Sequence, residues 1–415
     1  MDVISLPDLN AGGRPRAKLV GRAVEKPILS EARFADRIGR MPYFRKVGGA
    51  ASPMVRVEGR SLFNLASNNY LALTTDRRVV RAATDAIRLW GTGVTGSRLM
   101  NGTLTLHEHL EADISDFFGY DAALVLPTGY TANLGLLAGL LRPSDTAVVD
   151  RDIHASCYDG VRLSGAQLVV AAHNEPADFE EKLRATGAAL CVIEGAYSMS
   201  GDVAPVAEIA DACHKHDVMI VVDEAHAVGV LGDRGRGASE LADALSAVDA
   251  LTITFSKSLG SCGGAIVGSR ELIDCLRFAA RPFMFTASNT PGALAAAHES
   301  LRILCEHPEY PAAVRELAAG FAERLRCSGI DCRYSGGAII SVPCGSDFLT
   351  AQAWKMLWNR GVFCNAAISP AVERDNGALR FSVMRTHDYC QLLTAADCCA
   401  EVLLSLRTND HLSHE

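Results

Sequence analysis

The stretch from Val218 to Lys257 carries three side chains that could act together on one planar, charged ligand. An apolar run that begins at Val218 ends in Asp223, and His226 follows in the same motif. Lys257 comes after a second apolar run and before a glycine-rich segment, which is a poor place for the solvated lysine that a sequence normally contains. A lysine near a strand end in a restricted pocket can have a lowered pKa and attack carbonyl groups. The sequence therefore predicts a carboxylate, an imidazole and a nucleophilic amine in one site.

The carboxylate narrows the choice of ligand. At the end of a buried strand Asp223 requires a partner, because an unpaired buried carboxylate is costly. A pyridinium N–H is such a partner, and the ion pair keeps the ring nitrogen protonated so that the ring remains an electron sink. Together with an amine that can form a Schiff base, this favours pyridoxal 5'-phosphate (PLP) carried by Lys257.

The elements that must position these residues follow an α/β pattern. Short apolar, β-branched runs alternate with helical segments, which predicts a mostly parallel seven-stranded sheet between helices. The candidate strands are residues 123–126, 146–149, 167–171, 189–194, 218–222, 250–254 and 264–267. Ligands bind beyond the carboxyl ends of the strands in such sheets. Asp150, Glu194, Asp223 and Lys257 all fall at or just past those ends.

The predicted order of domains places this sheet in the middle of the chain. Residues 1–60 are expected to form an N-terminal arm, flexible or draped up to about residue 30, and a short segment with a hairpin around Gly59. Residues 61–300 are expected to form the large domain and residues 301–415 a smaller α+β domain. Helices are predicted at residues 31–41, 76–90, 104–118, 293–305, 312–326 and 388–406, and further strands at 338–342 and 379–383.

Composition excludes several classes of protein. The 415 residues are 49% hydrophobic and 21% charged, with a net charge of -8, so we expect no basic face for nucleic acid. We find no apolar run long enough for a membrane helix and no cationic leader. A cytoplasmic location is therefore the default expectation. The thirteen cysteines are expected to be reduced thiols, and their spacings predict no metal site. The histidine pairs at 107/109 and 214/216 are expected at the surface.

A glycine-rich motif at residues 91–96 matches G-x-G-x-x-G, the pattern of dinucleotide-binding loops. That pattern has meaning only where it follows a strand and opens a helix. Here it follows a helical segment that ends at Trp90, so a loop that allows close backbone approach is the better interpretation.

Residues 223–226 have the same letters as a metal-binding motif of nucleic-acid-dependent ATPases. Those enzymes also require G-x-x-x-x-G-K-[ST] to hold phosphates, and that pattern is missing from the sequence. The acidic composition also argues against a nucleic-acid-dependent ATPase.

Many ordered motifs resemble the α-oxoamine synthases, a family of PLP-dependent acyltransferases, from about Leu65 to Thr394. The matching segments are Ser67-Asn-Asn-Tyr-Leu71, Thr95-Gly-Ser-Arg98 with Gly102 and His107-Glu108, Thr128-Gly-Tyr-Thr-Ala-Asn133, Asp152-Ile-His154-Ala-Ser156, Glu194-Gly-Ala-Tyr-Ser198-Met-Ser-Gly-Asp202, Asp223-Glu-Ala-His226, Gly235-Arg-Gly237 and Thr254-Phe-Ser-Lys257. The resemblance implies PLP-dependent transferase fold type I and a homodimer with its active site at the interface.

The resemblance also assigns roles around the cofactor ring. Lys257 would carry PLP as a Schiff base, and Asp223 would bind the pyridine nitrogen. His226 would hydrogen-bond the phenolic oxygen, while His154 would stack on the ring and hydrogen-bond the substrate carboxylate. Ser198 would lie near the cofactor.

For the phosphate, the resemblance points to the backbone amides of Gly129 and Tyr130, at the start of a helix, and to the hydroxyl of Thr254. A helix N-terminus suits an anion. Thr286 and Ser288 resemble the element that reaches the phosphate bound by the partner subunit.

On the substrate side the chain departs from its family. Many members grip the carboxylate of the amino acid with an arginine shortly before a proline, but Ser369 precedes Pro370 here and cannot form that bidentate pair. Arg380 is the first alternative clamp and Arg385 the second, with Asn68 as a further substrate-side residue. This departure resembles the serine-using or lipid-making branch more than the biotin branch.

The resemblance implies decarboxylative condensation of an α-amino acid with an acyl thioester, on CoA or on an acyl carrier protein, giving an α-amino ketone, CO2 and a free thiol. Another fold-type-I reaction, aminotransfer or aldolase-like cleavage, would use the same Lys257 and Asp223 but release no thiol. A non-catalytic subunit of a heterodimeric synthase would lack the cofactor lysine, which is present.

Overall fold

The structure is a computed structural model that describes residues 27–412. The expected arm at residues 1–30 lies almost entirely outside these residues. The first described helix, α1 (Pro27–Arg37), begins and ends about four residues before the predicted segment 31–41.

A seven-stranded sheet forms the centre of the large α/β layer, in the order β3-β9-β8-β7-β6-β4-β5. Its strands are β3 (Ala122–Leu126), β4 (Thr146–Asp150), β5 (Gln167–Ala171), β6 (Leu190–Glu194), β7 (Met219–Asp223), β8 (Ala250–Thr254) and β9 (Gly264–Gly268). Only β9 runs antiparallel to its neighbours β3 and β8, while the remaining pairs are parallel. The predicted mostly parallel sheet is confirmed, strand by strand.

Helices pack on the sheet and in the C-terminal part of the chain, and some of their ends follow local sequence signals. The helices are α2 (Arg77–Trp90), α3 (Thr105–Phe118), α4 (Gly129–Leu140), α5 (Ala155–Ser164), α6 (Pro176–Thr186), α7 (Val206–Lys215), α8 (Ala238–Leu241), α9 (Arg270–Ala279), α10 (Arg281–Met284), α11 (Pro291–Glu306), α12 (Tyr310–Cys327), α13 (Asp347–Asn359) and α14 (Tyr389–Leu412). At the start of α2 the side chain of Asp76 accepts a hydrogen bond from the backbone N–H of Arg78. Gly91 ends the helix with φ 84°, so the glycine-rich loop follows a helix, as the sequence predicts.

A second hydrophobic core gathers the C-terminal part of the chain and two small sheets. The antiparallel hairpin of β1 (Met54–Val57) and β2 (Arg60–Asn64) turns at Gly59, as predicted. Its apolar face packs in this core with residues of the C-terminal part of the chain. The remaining strands are β10 (Ile339–Gly345), β11 (Val362–Phe363), β12 (Asn365–Ala367) and β13 (Gly377–Ser382), with β11 paired to β2 and β13 between β10 and β12.

The C-terminal helix α14 is more apolar than the sequence analysis predicts. Its segment Tyr389–Leu406 is long and apolar enough to cross a membrane by length and composition, contrary to the expectation that no run is. One face of the helix, which includes Leu392, Ala396 and Cys399, packs in the second core. This burial accounts for the apolar composition of the helix.

The second core predicts a clear difference between two aromatic residues of α13. Trp354 is 1% exposed and its Nε1 donates to the carbonyl oxygen of Cys364 at 3.1 Å, whereas Phe348 is 52% exposed. Trp354→Ala should lower the free energy of unfolding by about 3–5 kcal/mol, because it leaves a large cavity. Phe348→Ala should lower it by no more than about 1 kcal/mol. Urea unfolding of both variants measures this, and equal losses would contradict the packing.

Candidate active site

The carboxyl edge of the sheet brings three charged groups together. Glu194 and Asp223 are paired partners at the ends of β6 and β7, and Lys257 follows the end of the neighbouring β8. Burial lowers the pKa of Lys257 to about 8, although the negative charges of Asp223 and Glu194 oppose that shift. An amine with this pKa is partly uncharged near neutral pH, as a nucleophile toward a carbonyl must be.

Asp223 is 5% exposed and held by N–H donors. Asn133 donates from Nδ2 to Asp223 Oδ2 at 2.6 Å, and the backbone N–H of Ala225 donates to Oδ1 at 3.0 Å. Bonds of this kind to a carboxylate are charge-assisted and strong. Asp223 is thus a fixed acceptor at the floor of the cleft.

Glu194 lies beside Asp223 and is shifted toward its neutral form. Burial, followed by the nearby negative charge of Asp223, raises the pKa of Glu194 well above its usual range. Its Oε1 accepts a hydrogen bond from the backbone N–H of His154 at 2.5 Å. Glu194 therefore anchors the backbone of the loop that carries His154.

The ring of His154 lies on the open side of the cleft at the N-terminus of α5. Its Nδ1 is 2.7 Å from Ser156 Oγ, and its ring is edge-to-face with Tyr130 at 6.1 Å between centroids. The surrounding protein removes water from the ring and so lowers the pKa of His154. The negative charge of Asp223 opposes this shift but does not cancel it. A largely neutral ring facing a cleft can stack on a flat ligand.

His226 is buried beside Lys257 and has a partner that sequence reasoning missed. Its Nδ1 lies 2.7 Å from the hydroxyl oxygen of Tyr70, which is fully buried. Burial and then the positive charges of Lys257 and Arg380 lower the pKa of His226 well below its usual value. Tyr70 belongs to the segment Ser67–Leu71 that resembles the family, and this resemblance is the only sequence signal that could have assigned it to the site.

The first turn of α4 forms a tight contact with the end of β8. Thr128 caps the helix by accepting from the backbone N–H of Thr131 at 3.1 Å. A Cβ placed on Gly129 would lie 2.8 Å from the Cβ of Thr254, so only glycine allows this approach. Tyr130 follows in the first turn, with its hydroxyl donating to Asp159. A helix N-terminus beside a threonine hydroxyl is a suitable site for an anion.

Thr286 and Ser288 lie apart from this cleft, against the glycine-rich loop. The backbone N–H of Ser288 donates to the carbonyl oxygen of Gly96 at 2.9 Å, and Ser288 Oγ is 3.0 Å from His107 Nε2. Thr286 lines a shallow hollow with residues of the same loop, including Met100. None of the contacts recorded for this segment joins it to Lys257 or Asp223.

The position of His107 corrects the expectation of a surface histidine. The ring is fully buried, and burial followed by the charge of Arg98 lowers the pKa of His107 to about 3. Its Nδ1 accepts from the backbone N–H of Leu104 at 3.1 Å, so His107 braces the loop against Ser288. His109 and His214 are exposed, as expected.

Arg380 lies on β13 and is 4% exposed. Its Nη2 donates to Asn68 Oδ1 at 3.0 Å, its Nη1 donates to Ser382 Oγ at 2.8 Å, and its Nε donates to the carbonyl oxygen of Ser198. Nη2 also lies 3.4 Å from the hydroxyl of Tyr70, which contacts His226. The structure thus brings Asn68, Ser198 and Arg380 together.

Arg385 and Ser369 occupy different places. Arg385 Nε donates to the carbonyl oxygen of Leu71 at 3.3 Å, and its guanidinium lies 3.8 Å from the ring centroid of Tyr310. Ser369 lines a cavity of about 780 Å³ between the two cores, together with Arg151 and Tyr197. The guanidinium of Arg380 contacts the predicted residues Asn68 and Ser198, whereas Arg385 reaches Tyr70 only through its backbone N–H, which donates to the carbonyl oxygen of Tyr70 at 2.8 Å.

The remaining acidic residue of the 223–226 motif has a structural role. Glu224 is fully buried and accepts from the backbone N–H groups of Ala238 and Ser239, both at 2.8 Å, which fixes the start of α8. Burial raises the pKa of Glu224 to about 7. Within residues 27–412 no group of three or more His, Cys, Asp or Glu residues could hold a metal ion, and all thirteen cysteines are free.

Comparison with known proteins agrees with this geometry. Residues 60–396 match the aminotransferase class I and II family. A serine palmitoyltransferase of Bacteroides thetaiotaomicron is 38% identical over 362 residues, which cover 86% of this chain and 92% of the relative. An 8-amino-7-oxononanoate synthase of Mycolicibacterium gilvum is 37% identical and covers 86% of this chain and 94% of the relative.

A solved structure with the same fold is a serine palmitoyltransferase from S. paucimobilis with a bound PLP–myriocin aldimine. It superposes with a TM-score of 0.89 at 30% identity, over 95% of this chain and all of the other. The chain therefore belongs to the aminotransferase class I and II family, with the type I fold of PLP-dependent transferases, and its predicted kinship with the α-oxoamine synthases is confirmed.

Proposed function

We propose that this protein is a PLP-dependent acyltransferase that joins an α-amino acid to an acyl thioester, giving an α-amino ketone, CO2 and a free thiol. The convergence of Lys257, Asp223 and His154 beside the N-terminus of α4 carries the proposal. Relatives named serine palmitoyltransferase and 8-amino-7-oxononanoate synthase support it. The thioester is acyl-CoA or an acyl carrier protein, and the protein acts in the cytoplasm without a nucleic-acid partner.

The residues of the cleft fit PLP. The N–H groups of Gly129 and Tyr130 would bind the phosphate with the hydroxyl of Thr254, and a side chain at position 129 would fill the space between them. At the other end Asp223 offers a buried carboxylate, held by Asn133 and the backbone N–H of Ala225, that suits a pyridinium N–H. When bound, PLP supplies an electron sink for the negative charge that develops on the amino acid.

The remaining groups around the ring bind and move protons. The Lys257 amine would hold the cofactor and would accept the α-proton of the amino acid in its uncharged form, for which its lowered pKa is suited. Burial and the positive charges of Lys257 and Arg380 lower the pKa of His226, so its ring is largely neutral, and it would hydrogen-bond the ring oxygen of the cofactor. Ser198 lies at the same side because its carbonyl oxygen receives Arg380.

The substrate carboxylate is bound by Arg380. The guanidinium is already in the cleft and next to Asn68, so it takes over the role that Ser369 cannot perform. Arg385 stabilises the segment around Tyr310 and Leu71 instead. Ser369 contributes to the wall of the cavity between the cores, through which the second substrate approaches.

The protein acts as a homodimer with active sites at the interface. Met100 is 80% exposed and Phe285 is 65% exposed, and both belong to the surface that contains Thr286. Apolar side chains exposed together in this way suit a protein contact. Thr286 and Ser288 on this surface would then reach the phosphate bound by the second copy.

Removal of the cofactor amine tests the assignment directly. Lys257→Ala should abolish the visible absorbance of the protein–PLP adduct and lower thiol release by at least about a hundredfold, since both nucleophile and base are lost. Lys215→Ala, at a lysine that is 60% exposed, is the matched control and should change neither. Undiminished turnover in Lys257→Ala would refute the proposed function. Activity with an amino acid but no thiol release from any acyl thioester would favour aminotransfer or cleavage.

The pKa of Lys257 predicts how the apo-protein captures PLP. Only the uncharged amine attacks, and its lowered pKa of about 8 means that the capture rate rises about tenfold per pH unit below pH 8 and levels off above it. Stopped-flow absorbance after mixing with PLP measures the profile. N-α-acetyl-lysine, with its unperturbed pKa of about 10.4, is the control for titration of PLP itself. A profile that continues to rise to pH 10 would contradict the lowered pKa.

The two candidate carboxylate clamps are distinguished by Arg→Lys substitutions, which keep the charge and remove the bidentate geometry. Arg380→Lys should weaken amino-acid binding by roughly 10- to 100-fold, the effect of a lost charge-assisted bond. Arg385→Lys should change it by less than about threefold. Spectral titration of PLP-loaded protein with amino acids measures both constants, and the reverse order would identify Arg385 as the clamp.

A further inference from the structure

The imidazole of His154 makes two contacts through the same nitrogen. The backbone N–H of Ser156 donates to His154 Nδ1 at 3.2 Å, and Ser156 Oγ lies 2.7 Å from the same atom. A backbone N–H can only donate, so Nδ1 is the acceptor and carries no proton. The ring proton is therefore on Nε2, and the hydroxyl of Ser156 is a second donor to Nδ1.

The direction of the hydroxyl is set by Asn133. Asn133 Nδ2 lies 2.9 Å from Ser156 Oγ, so this hydroxyl oxygen accepts from the amide while its own hydrogen is given to His154. The orientation of the amide is itself determined by its partners. Asp223 can only accept, so the atom 2.6 Å from its Oδ2 is the NH2 group, and Asn133 Oδ1 accepts from Thr252 Oγ1 at 2.6 Å.

Burial protects this chain of hydrogen bonds from exchange with water. Thr252 is 1%, Asn133 3%, Ser156 0% and Asp223 5% exposed. In surroundings of low dielectric constant, such a fully satisfied network is rigid, and reversing one bond would leave buried groups unpaired.

We infer that Asn133 and Ser156 are positioning residues that hold His154 as the neutral tautomer with its proton on Nε2. The same amide holds Asp223, so one side chain aligns the two groups that face the cofactor ring from different sides. Given the proposed function, Nε2–H is the donor that His154 offers to the substrate carboxylate. Asn133 and Ser156 act through Asp223 and His154.

The charged groups around His154 are consistent with a neutral ring. The imidazole is near Asp223, Lys257 and Asp159, and its backbone N–H is bound by Glu194. Burial outweighs the attraction of Asp223, so the pKa of His154 is lowered. The tautomer is therefore set by hydrogen bonds and not by an adjacent ion pair.

The test is 15N NMR of apo-protein labelled at histidine, with the His154 signals assigned by His154→Gln. In the wild type we expect an unprotonated Nδ1 and a protonated Nε2 at pH 7. Ser156→Ala should move the two nitrogen shifts toward each other, because the stronger donor to Nδ1 is lost and both tautomers become populated. Ser300→Ala, which removes a fully buried hydroxyl from α11, is the control and should leave the His154 signals unchanged.

A second variant tests the amide separately. Asn133→Asp puts a carboxylate opposite Asp223, and the Ser156 hydroxyl can then donate to the new group and no longer to His154. The shifts of His154 should again converge, and its titration should move to higher pH. A wild-type ring protonated on Nδ1, a charged ring at pH 7, or unchanged signals in both variants would overturn the inference.

The NMR experiment contains no substrate, so its outcome is separate from the proposed reaction. A wild-type protein that shows the Nε2–H tautomer but releases no thiol would refute the proposed function and leave the positioning role intact. The opposite pair of results would refute the positioning role alone.

Discussion

The buried carboxylate of Asp223 is the constraint on which the site depends. A carboxylate that is 5% exposed is costly unless N–H donors and opposite charge surround it, and Asn133 and Ala225 provide the donors. The central position of β7 between β6 and β8 places Glu194 and Lys257 within electrostatic range. The need to satisfy this one buried carboxylate therefore shapes the floor of the cleft.

Burial shifts the pKa values of the groups around Asp223 in different directions. It lowers the pKa of Lys257 and His226 and raises that of Glu194, so each of these groups is moved toward its neutral form. The cleft thus contains several groups that are shifted toward their neutral forms and can exchange protons, which is suited to proton transfer at a bound amino acid.

The substrate side is assembled from both cores. Arg380 comes from β13 in the second core, while Ser198 and Tyr70 come from parts that pack on the large sheet. The guanidinium of Arg380 contacts Ser198, Tyr70 and Asn68, so a relative shift of the two cores would alter its position. The substrate clamp that we propose for Arg380 is therefore physically connected to the packing of the two cores.

The sequence by itself determined the strands, the location of Asp223 and Lys257 at their carboxyl ends, and the family. Apolar runs and parallel-sheet geometry are local rules, and a parallel sheet gathers strand ends without further information. The tertiary structure alone decided that Tyr70 contacts His226, that Asn133 contacts Asp223 and that His107 is buried. These pairs are separated by 156 and 90 residues, so no local pattern reports them. The assignment of the hairpin to the second core depends on the same long-range packing, which also selects Arg380 over Arg385 for the cleft.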